Sequence, residues 1–202
     1  MLTFFPDVFK RFVLALRSNY NKNPFHNFEH AVDVLQATFW TLATSGLRTQ
    51  LKPLEVLALA ISSLAHDVCH PGTNNFYHVR LVFNAKKWFT YMVFQINARS
   101  SLALLYNNKA VLENLHASMT FALLLRPELN LFGHMSPAEV KELRGLIISA
   151  ILATDMGMHF DFISTVKERN AKKTPLVLQA KEDASLVSTA VIKSADLSNT
   201  VR

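Results

Sequence analysis

Residues 52–67 read KPLEVLALAISSLAHD, and this stretch sets the architecture of the chain. Pro53 suits the first turn of a helix, and the apolar residues after it recur at helical spacing. The pattern predicts a helix whose apolar stripe runs directly into His66 and Asp67. An imidazole and a carboxylate on consecutive residues reach one metal ion only where the backbone turns or a helix faces the site. We therefore expect this helix to end at a candidate metal site.

The rest of the chain shows the same helical periodicity. Apolar faces predict one helix around Phe9 to Leu16 and a second that begins near His26. Ser136 followed by Pro137 is typical of a helix start. Strand signals are essentially missing, so the sequence predicts an all-α fold. Further predicted helices cover 101–106, 111–125 and 181–197.

Composition narrows the class of protein. A length of 202 residues suits one domain, and a charged fraction of only 18% points to much buried surface. The formal charge of +6 favours anionic ligands, but no basic stripe with interleaved aromatics predicts nucleic-acid binding. The single cysteine, Cys69, excludes an internal disulfide. With no visible signal peptide and no run of ~20 apolar residues that could span a membrane, we expect a cytoplasmic protein.

Candidate ligands accompany His66 and Asp67 along the sequence. His26 and His30 lie four residues apart, which places both imidazoles on one side of a predicted helix. Asp196 lies far downstream. A carboxylate that bridges two ions, with histidines completing the first ion's ligands, is ordinary chemistry for a two-metal hydrolase. Taken singly, each histidine is better explained as a capping or core residue than as a ligand.

Three strings carry a family resemblance: His26-Asn-Phe-Glu-His30, the run from His66-Asp67 through His70 to Asn74, and Ala195-Asp196-Leu-Ser-Asn199. They resemble the catalytic domain of the class I cyclic nucleotide phosphodiesterases, which are HD-type metal-dependent phosphohydrolases. The resemblance covers nearly all of residues 20–202. It implies a multi-helix bundle and hydrolysis of a 3′,5′-cyclic nucleotide, cAMP or cGMP, to the 5′-monophosphate in cyclic nucleotide signalling. Shorter matches include Glu113-Asn114 and the run from Ala153 to Met156.

The resemblance also implies roles for individual residues. His26 would be the general acid that protonates the leaving O3′, and Asp67 would bridge a first ion, zinc, and a second, magnesium or manganese. Purine-binding residues cannot be assigned in this chain. The implied ligands of the first ion are His30, His66, Asp67 and Asp196, and the residues on the side of the second ion and the phosphate are His70, Glu113, Thr154, Asp155 and Met156.

The sequence departs from the family in three places. Leu115 replaces one of two adjacent histidines, and residues 79–95 are an unmatched insertion. The family's domain continues beyond residue 202 with helices that bind the purine. We therefore expect residues 1–202 to be a partial, truncated catalytic domain. A regulatory domain or a dimer partner would lie outside what this sequence shows.

Two other interpretations stay open. Another HD-type phosphohydrolase would explain the four implied ligands of the first ion, but not Glu113 or the run from Thr154 to Met156. A catalytically silent fragment that retains only the fold would explain the departures. Such a fragment should purify without stoichiometric zinc.

Overall fold

A computed structural model of the chain describes residues 6–73, 101–173 and 175–198. No strand occurs within these ranges, so the predicted all-α fold is confirmed for them. Short 3-10 turns cover Leu47–Thr49, Pro127–Leu129 and Met156–Met158. The helices are α1 (Pro6–Ser18), α2 (Phe28–Thr44), α3 (Pro53–Ala65), α4 (Ser101–Leu105), α5 (Val111–Leu124), α6 (Pro137–Leu152), α7 (His159–Ala171) and α8 (Lys181–Ser198).

Helix α3 is the centre of the bundle. It packs against α6 on one side and α2 on the other, and α8 packs against both α2 and α3. Ile61 and Leu64 belong to the main apolar core, which also contains Phe12, Leu16 and Ile147. Because every residue from 61 to 68 is buried, the segment that leads into His66 is surrounded by packed side chains. The position of the candidate site is therefore fixed by the core itself.

Helix α2 begins later than the sequence predicts. The side chain of Asn27 caps it by accepting a hydrogen bond from the backbone N–H of His30, at 2.9 Å. His26 therefore lies in the loop before the helix, and the expectation that His26 and His30 share a helical face is wrong. An asparagine favours the cap position because its side chain satisfies an amide that the helix leaves unpaired.

Two further predictions differ from the structure or fall outside it. Helix α7 was missed because none of its residues is buried, so its sequence carries no continuous apolar stripe. The predicted insertion at 79–95 and the loop residue Asn74 lie outside the described residues.

A membrane-spanning helix needs about 20 consecutive, mostly apolar residues, which the described helices lack individually. No single one of them has both the length and the apolar composition needed to cross a membrane. One pair, Pro137–Leu152 with Met156–Ala171, meets those requirements only when joined, and it is bent by 80°.

The core predicts a specific stability effect. Ile147 is 0% exposed and touches the main apolar cluster. Ile147→Ala should lower the free energy of unfolding by about 2–5 kcal/mol, because it removes buried methyl groups and leaves a cavity. Glu142→Ala on the exposed side of the same helix should change it by less than about 0.5 kcal/mol. Urea denaturation measures both, and equal effects would contradict the packing.

Candidate metal centre

Three helices bring the predicted ligands of the first ion together. His30 lies in the first turn of α2, His66 is the C-cap of α3, and Asp67 follows it. Asp196 lies in the last turn of α8. Because α2 and α8 both pack on α3, the side chains converge although they are up to 166 residues apart in sequence.

The four ligand atoms are spaced as they would be around one ion. The Nε2 atoms of His30 and His66 are 3.3 Å apart. Asp196 Oδ1 lies 3.1 Å from His30 Nε2 and 3.4 Å from His66 Nε2. Asp67 Oδ2 lies 3.6 Å and 3.4 Å from the same two atoms. Nitrogen and oxygen ligands about 2.0–2.2 Å from a tetrahedral ion lie about 3.3–3.6 Å apart, so these spacings match such a shell.

The hydrogen bonds around this cluster also fit a divalent cation. His66 Nδ1 lies 3.0 Å from the carbonyl oxygen of Ser63, which can only accept, so Nδ1 carries the proton. The Nε2 lone pair of neutral His66 then faces the carboxylates. Asp67 Oδ2 is buried and has no hydrogen-bond partner. A buried carboxylate oxygen opposite a nitrogen lone pair is unfavourable unless a positive charge lies between them.

Electrostatics show the same need for positive charge. Burial lowers the pKa of His66, but the negative charges of Asp67 and Asp196 outweigh burial and raise it to about 9. Burial raises the pKa of Asp196, but hydrogen bonds from His30 and His66 outweigh that effect and hold it well below its usual range. Burial likewise raises the pKa of Asp67, and the nearby imidazoles, with His66 the strongest, lower it overall. The two carboxylates therefore stabilise a proton on His66.

A second group of ligand-type atoms lies beside the first. Atoms of His26, Asp67 and His70 all lie within 4.8 Å of one another. The rings of His26 and His70 are stacked, with centroids 3.9 Å apart and an interplanar angle of 11°. The backbone N–H of Gly72 donates to His70 Nδ1 at 3.0 Å. Neutral His70 therefore carries its proton on Nε2, which makes that atom a hydrogen-bond donor.

A cavity of about 360 Å³ opens above the shared carboxylate Asp67. His26 and Asp196 line it, whereas His30 and His66 do not. An open space beside a ligand cluster can admit a substrate of nucleotide size. The residues that the sequence places on the side of the second ion and the phosphate all line this cavity: His70, Glu113, Thr154, Asp155 and Met156.

Sequence reasoning missed His116. It is 1% exposed and lines the cavity, with Nε2 3.9 Å from Asp67 Oδ1. Its Nδ1–H donates to the carbonyl oxygen of Val68 at 2.7 Å, and burial lowers the pKa of His116 to about 4. A signal was present, because His116 directly follows Leu115 in the string that begins at Glu113. Although Leu115 replaces one imidazole, its neighbour still supplies one to the site.

Lys193 was also missed. It is 4% exposed, and its ammonium donates to the carbonyl oxygens of Ala153 at 2.7 Å and Asp155 at 3.2 Å. Burial lowers the pKa of Lys193. These bonds attach α8 to the cavity wall that contains Thr154. Nothing in the sequence marks this lysine, since helical lysines are rarely fully buried.

Comparisons with known proteins agree with the geometry. The model of the 3′5′-cyclic nucleotide phosphodiesterase family matches residues 25–88 and 90–202. The high affinity cGMP-specific 3′,5′-cyclic phosphodiesterase 9A of Mus musculus is 34% identical over 197 residues, which cover 98% of this chain. The 3′,5′-cyclic-nucleotide phosphodiesterase regA of Dictyostelium discoideum is 35% identical over 205 residues, again covering 98%.

A solved structure shares the fold. The phosphodiesterase domain of the Salpingoeca rosetta rhodopsin phosphodiesterase has a TM-score of 0.84 and 32% identity, and the likeness covers 100% of this chain and 56% of that one. The chain spans 33% of the mouse relative and 24% of the Dictyostelium relative. The family match includes all of the predicted insertion at 79–95 except residue 89, and the insertion stays a prediction.

The position of Asp67 between the two groups predicts that Asp67→Ala and His26→Ala differ in metal content. Asp67→Ala should abolish binding of divalent metal at both places, because Asp67 belongs to the group with His26 and His70 and its Oδ2 also lies within 3.6 Å of the two imidazoles of the first cluster. His26→Ala should spare metal and impair only the leaving-group step, since His26 is absent from the cluster of His30, His66 and Asp196. Metal analysis of the two purified variants checks this prediction, and equal metal loss in both would contradict the assignment.

The raised pKa of His66 predicts a pH-dependent metal affinity. In the metal-free protein, the proton on His66 contributes stability below its unfolded pKa of about 6.5, and this contribution is lost as the pH rises through about 9. A cation must displace that proton. Apparent affinity for the metal should therefore fall about tenfold between pH 8 and pH 7. Calorimetry in buffers of different ionisation heat should detect one proton released per ion, and a pH-independent affinity would contradict this prediction.

Proposed function

The chain belongs to the 3′5′-cyclic nucleotide phosphodiesterase family, and on that premise we propose that it hydrolyses cAMP or cGMP to the nucleoside 5′-monophosphate. The observation that carries the proposal is the four-atom ligand cluster of His30, His66, Asp67 and Asp196 beside a cavity that His26 lines. The relatives named above support the substrate class, since each is a 3′,5′-cyclic phosphodiesterase.

Two divalent ions complete the proposed site. Zinc suits the first, because the cluster offers imidazole nitrogen and carboxylate oxygen. Magnesium or manganese suits the second, where Asp67 is the shared ligand and water supplies most of the others. When bound, such ions neutralise the phosphate charge and make water nucleophilic near neutral pH.

His26 supplies the proton in this proposal. In the reaction, water forms a new bond to phosphorus and the bond from phosphorus to O3′ breaks. O3′ leaves as an alkoxide unless a proton reaches it, which makes a general acid necessary. His26 is half-buried and lines the cavity, stacked on His70. The Nε2–H of neutral His70 can donate to a phosphate oxygen from the same side.

The remaining cavity residues have supporting roles in the proposal. The Thr154 hydroxyl donates to the carbonyl oxygen of Ile151 at 2.8 Å, so its oxygen faces the site as an acceptor for water. The Asp155 carboxylate accepts from the backbone N–H of Gly157 at 2.8 Å and fixes the turn after α6. Met156 is 52% exposed and walls the cavity. Glu113, in the first turn of α5, would orient water around the second ion.

The wider context of the site is part of the same proposal. We propose a cytoplasmic catalytic domain in which residues 79–95 are a surface insertion that adds no metal ligand. Another HD-type phosphohydrolase is less well supported, because the family match covers residues beyond the ligand cluster. The silent-fragment alternative is decided by assay.

The test compares two phosphodiesters with different leaving groups. For His26→Ala, turnover of cAMP and cGMP should fall by about 10²–10⁴-fold, the usual contribution of a general acid. Turnover of bis(p-nitrophenyl) phosphate should fall by less than about tenfold, because nitrophenolate leaves without a proton. His134→Ala, at an exposed position outside the cavity, is the matched control and should leave both rates unchanged.

Each contrary outcome has a separate meaning. Absence of metal-dependent hydrolysis of either substrate by the full chain would refute the proposed activity and favour a silent fragment. Equal losses on both substrates in His26→Ala would refute the acid role while leaving the activity intact.

A further inference from the structure

We propose that Asn23 is a positioning residue that holds the His26 imidazole stacked on His70, in the orientation from which it serves the cavity. This inference rests on the proposed function, because the orientation matters only if His26 transfers a proton. It is carried by a set of hydrogen bonds in the loop before α2.

Asn23 contacts the backbones of both histidines. Its side-chain amide donates to the carbonyl oxygen of His26 at 3.1 Å and to that of His70 at 2.8 Å. An amide nitrogen carries two hydrogens, so one side chain can satisfy both acceptors. Asn23 thus links the loop that carries His26 with the loop that follows α3.

The same loop is tied to the metal cluster through Asn27. The Asn27 amide donates to the carbonyl oxygen of Asn23 at 3.1 Å, while its side-chain oxygen accepts from the backbone N–H of His30. Asn23 and Asn27 therefore connect three backbones, those of His26, His30 and His70. Through these bonds the loop is placed relative to helix α2, which contributes a ligand to the cluster.

Within the described residues, the bonds of Asn23 act together with a small set of ring contacts to place His26. His26 is half-buried, and its ring is stacked on His70 at a centroid distance of 3.9 Å, with T-shaped contacts to Phe25 at 4.9 Å and His30 at 6.2 Å. Phe25 is 39% exposed and its ring lies against that of buried His30, with centroids 4.6 Å apart. The stacking of His26 on His70 also requires their two loops to stay together, and Asn23 joins the backbones of both. A shift of about 1 Å at a reacting group can reduce a rate by about 10²-fold.

Gly72 accommodates this contact. Its φ of +83° lies in the left-handed region, and a Cβ added there would lie 3.0 Å from Asn23 Oδ1. The loop after α3 therefore approaches Asn23 as closely as a residue without a side chain allows. Gly72 also donates to His70 Nδ1, so the turn that makes room for Asn23 orients His70 as well.

Asn21 provides a matched control. Its amide also donates to the carbonyl oxygen of His70, at 2.8 Å, but it makes no bond to His26. Asn21→Ala removes a bond of the same type, to the same acceptor, from the same loop. The two variants therefore differ in the link to His26.

The experiment measures kcat and KM of the full chain for cAMP, cGMP and bis(p-nitrophenyl) phosphate. Asn23→Ala should lower kcat on the cyclic nucleotides by about 10- to 100-fold, with little change in KM, because the displaced acid meets its proton acceptor less often. For bis(p-nitrophenyl) phosphate, kcat should fall by less than about threefold, since its leaving group needs no acid. For Asn21→Ala, kcat should stay within about threefold of the value of the unchanged chain for all three substrates.

A second measurement does not depend on activity. In protein freed of metal by a chelator, stacking on His70 shifts the ring protons of His26 upfield in NMR spectra. The signals of these protons can be assigned because they disappear in His26→Ala. Asn23→Ala should move these signals toward the values of an unstacked histidine, whereas Asn21→Ala should not. Asn23→Asp, which keeps the shape but removes the donor, should behave like Asn23→Ala and replaces it if the alanine variant fails to fold.

The outcomes separate this inference from the function it rests on. If the unchanged chain hydrolyses cyclic nucleotides and both asparagine variants behave alike, the positioning role is refuted and the proposed function stands. If the chain has no activity but only the Asn23 variants lose the stacking shift, the structural role stands and the proposed function fails. If the stacking shift survives in Asn23→Asp and Asn23→Ala, the inference is overturned.

Discussion

Buried negative charge is the constraint on which the rest of this structure depends. Asp67 and Asp196 sit among packed helices, where an unpaired carboxylate costs several kcal/mol. Two imidazoles face them, and a proton or a cation is needed to balance the group. Because the ligands come from α2, α3 and α8, the packing of these helices brings the charges together. The packing and the charge balance therefore depend on each other.

The site combines two kinds of support. His30 and His66 are buried on or at the ends of core helices, and apolar packing holds them. His26 lies on a loop, and directional hydrogen bonds from asparagines hold that loop. Packing suits ligands that must not move. A loop suits a group whose proton must reach solvent and substrate in turn.

Most of the helices and the candidate ligands could be predicted from sequence, because short local patterns mark them. The contacts that place the loop of His26 could not. The stripe of α3 and the Ser136-Pro137 start of α6 are local signals, and the structure confirms both. His26 was placed on a helix because spacing alone does not show that Asn27 caps it. Lys193 and the amide of Asn23 act on carbonyl oxygens of distant segments. No local pattern encodes such partners, since they exist only after the chain has folded.

Helix α8 is held against rotation at two points on its inner surface. Asp196 reaches the ligand cluster, and Lys193, three residues earlier, holds the carbonyls of Ala153 and Asp155. Rotation of α8 about its axis would therefore disturb the contacts of Asp196 and Lys193 together. One helix thus joins the candidate ligand cluster to the side wall of the cavity, because Asp196 and Lys193 reach these two places from positions three residues apart.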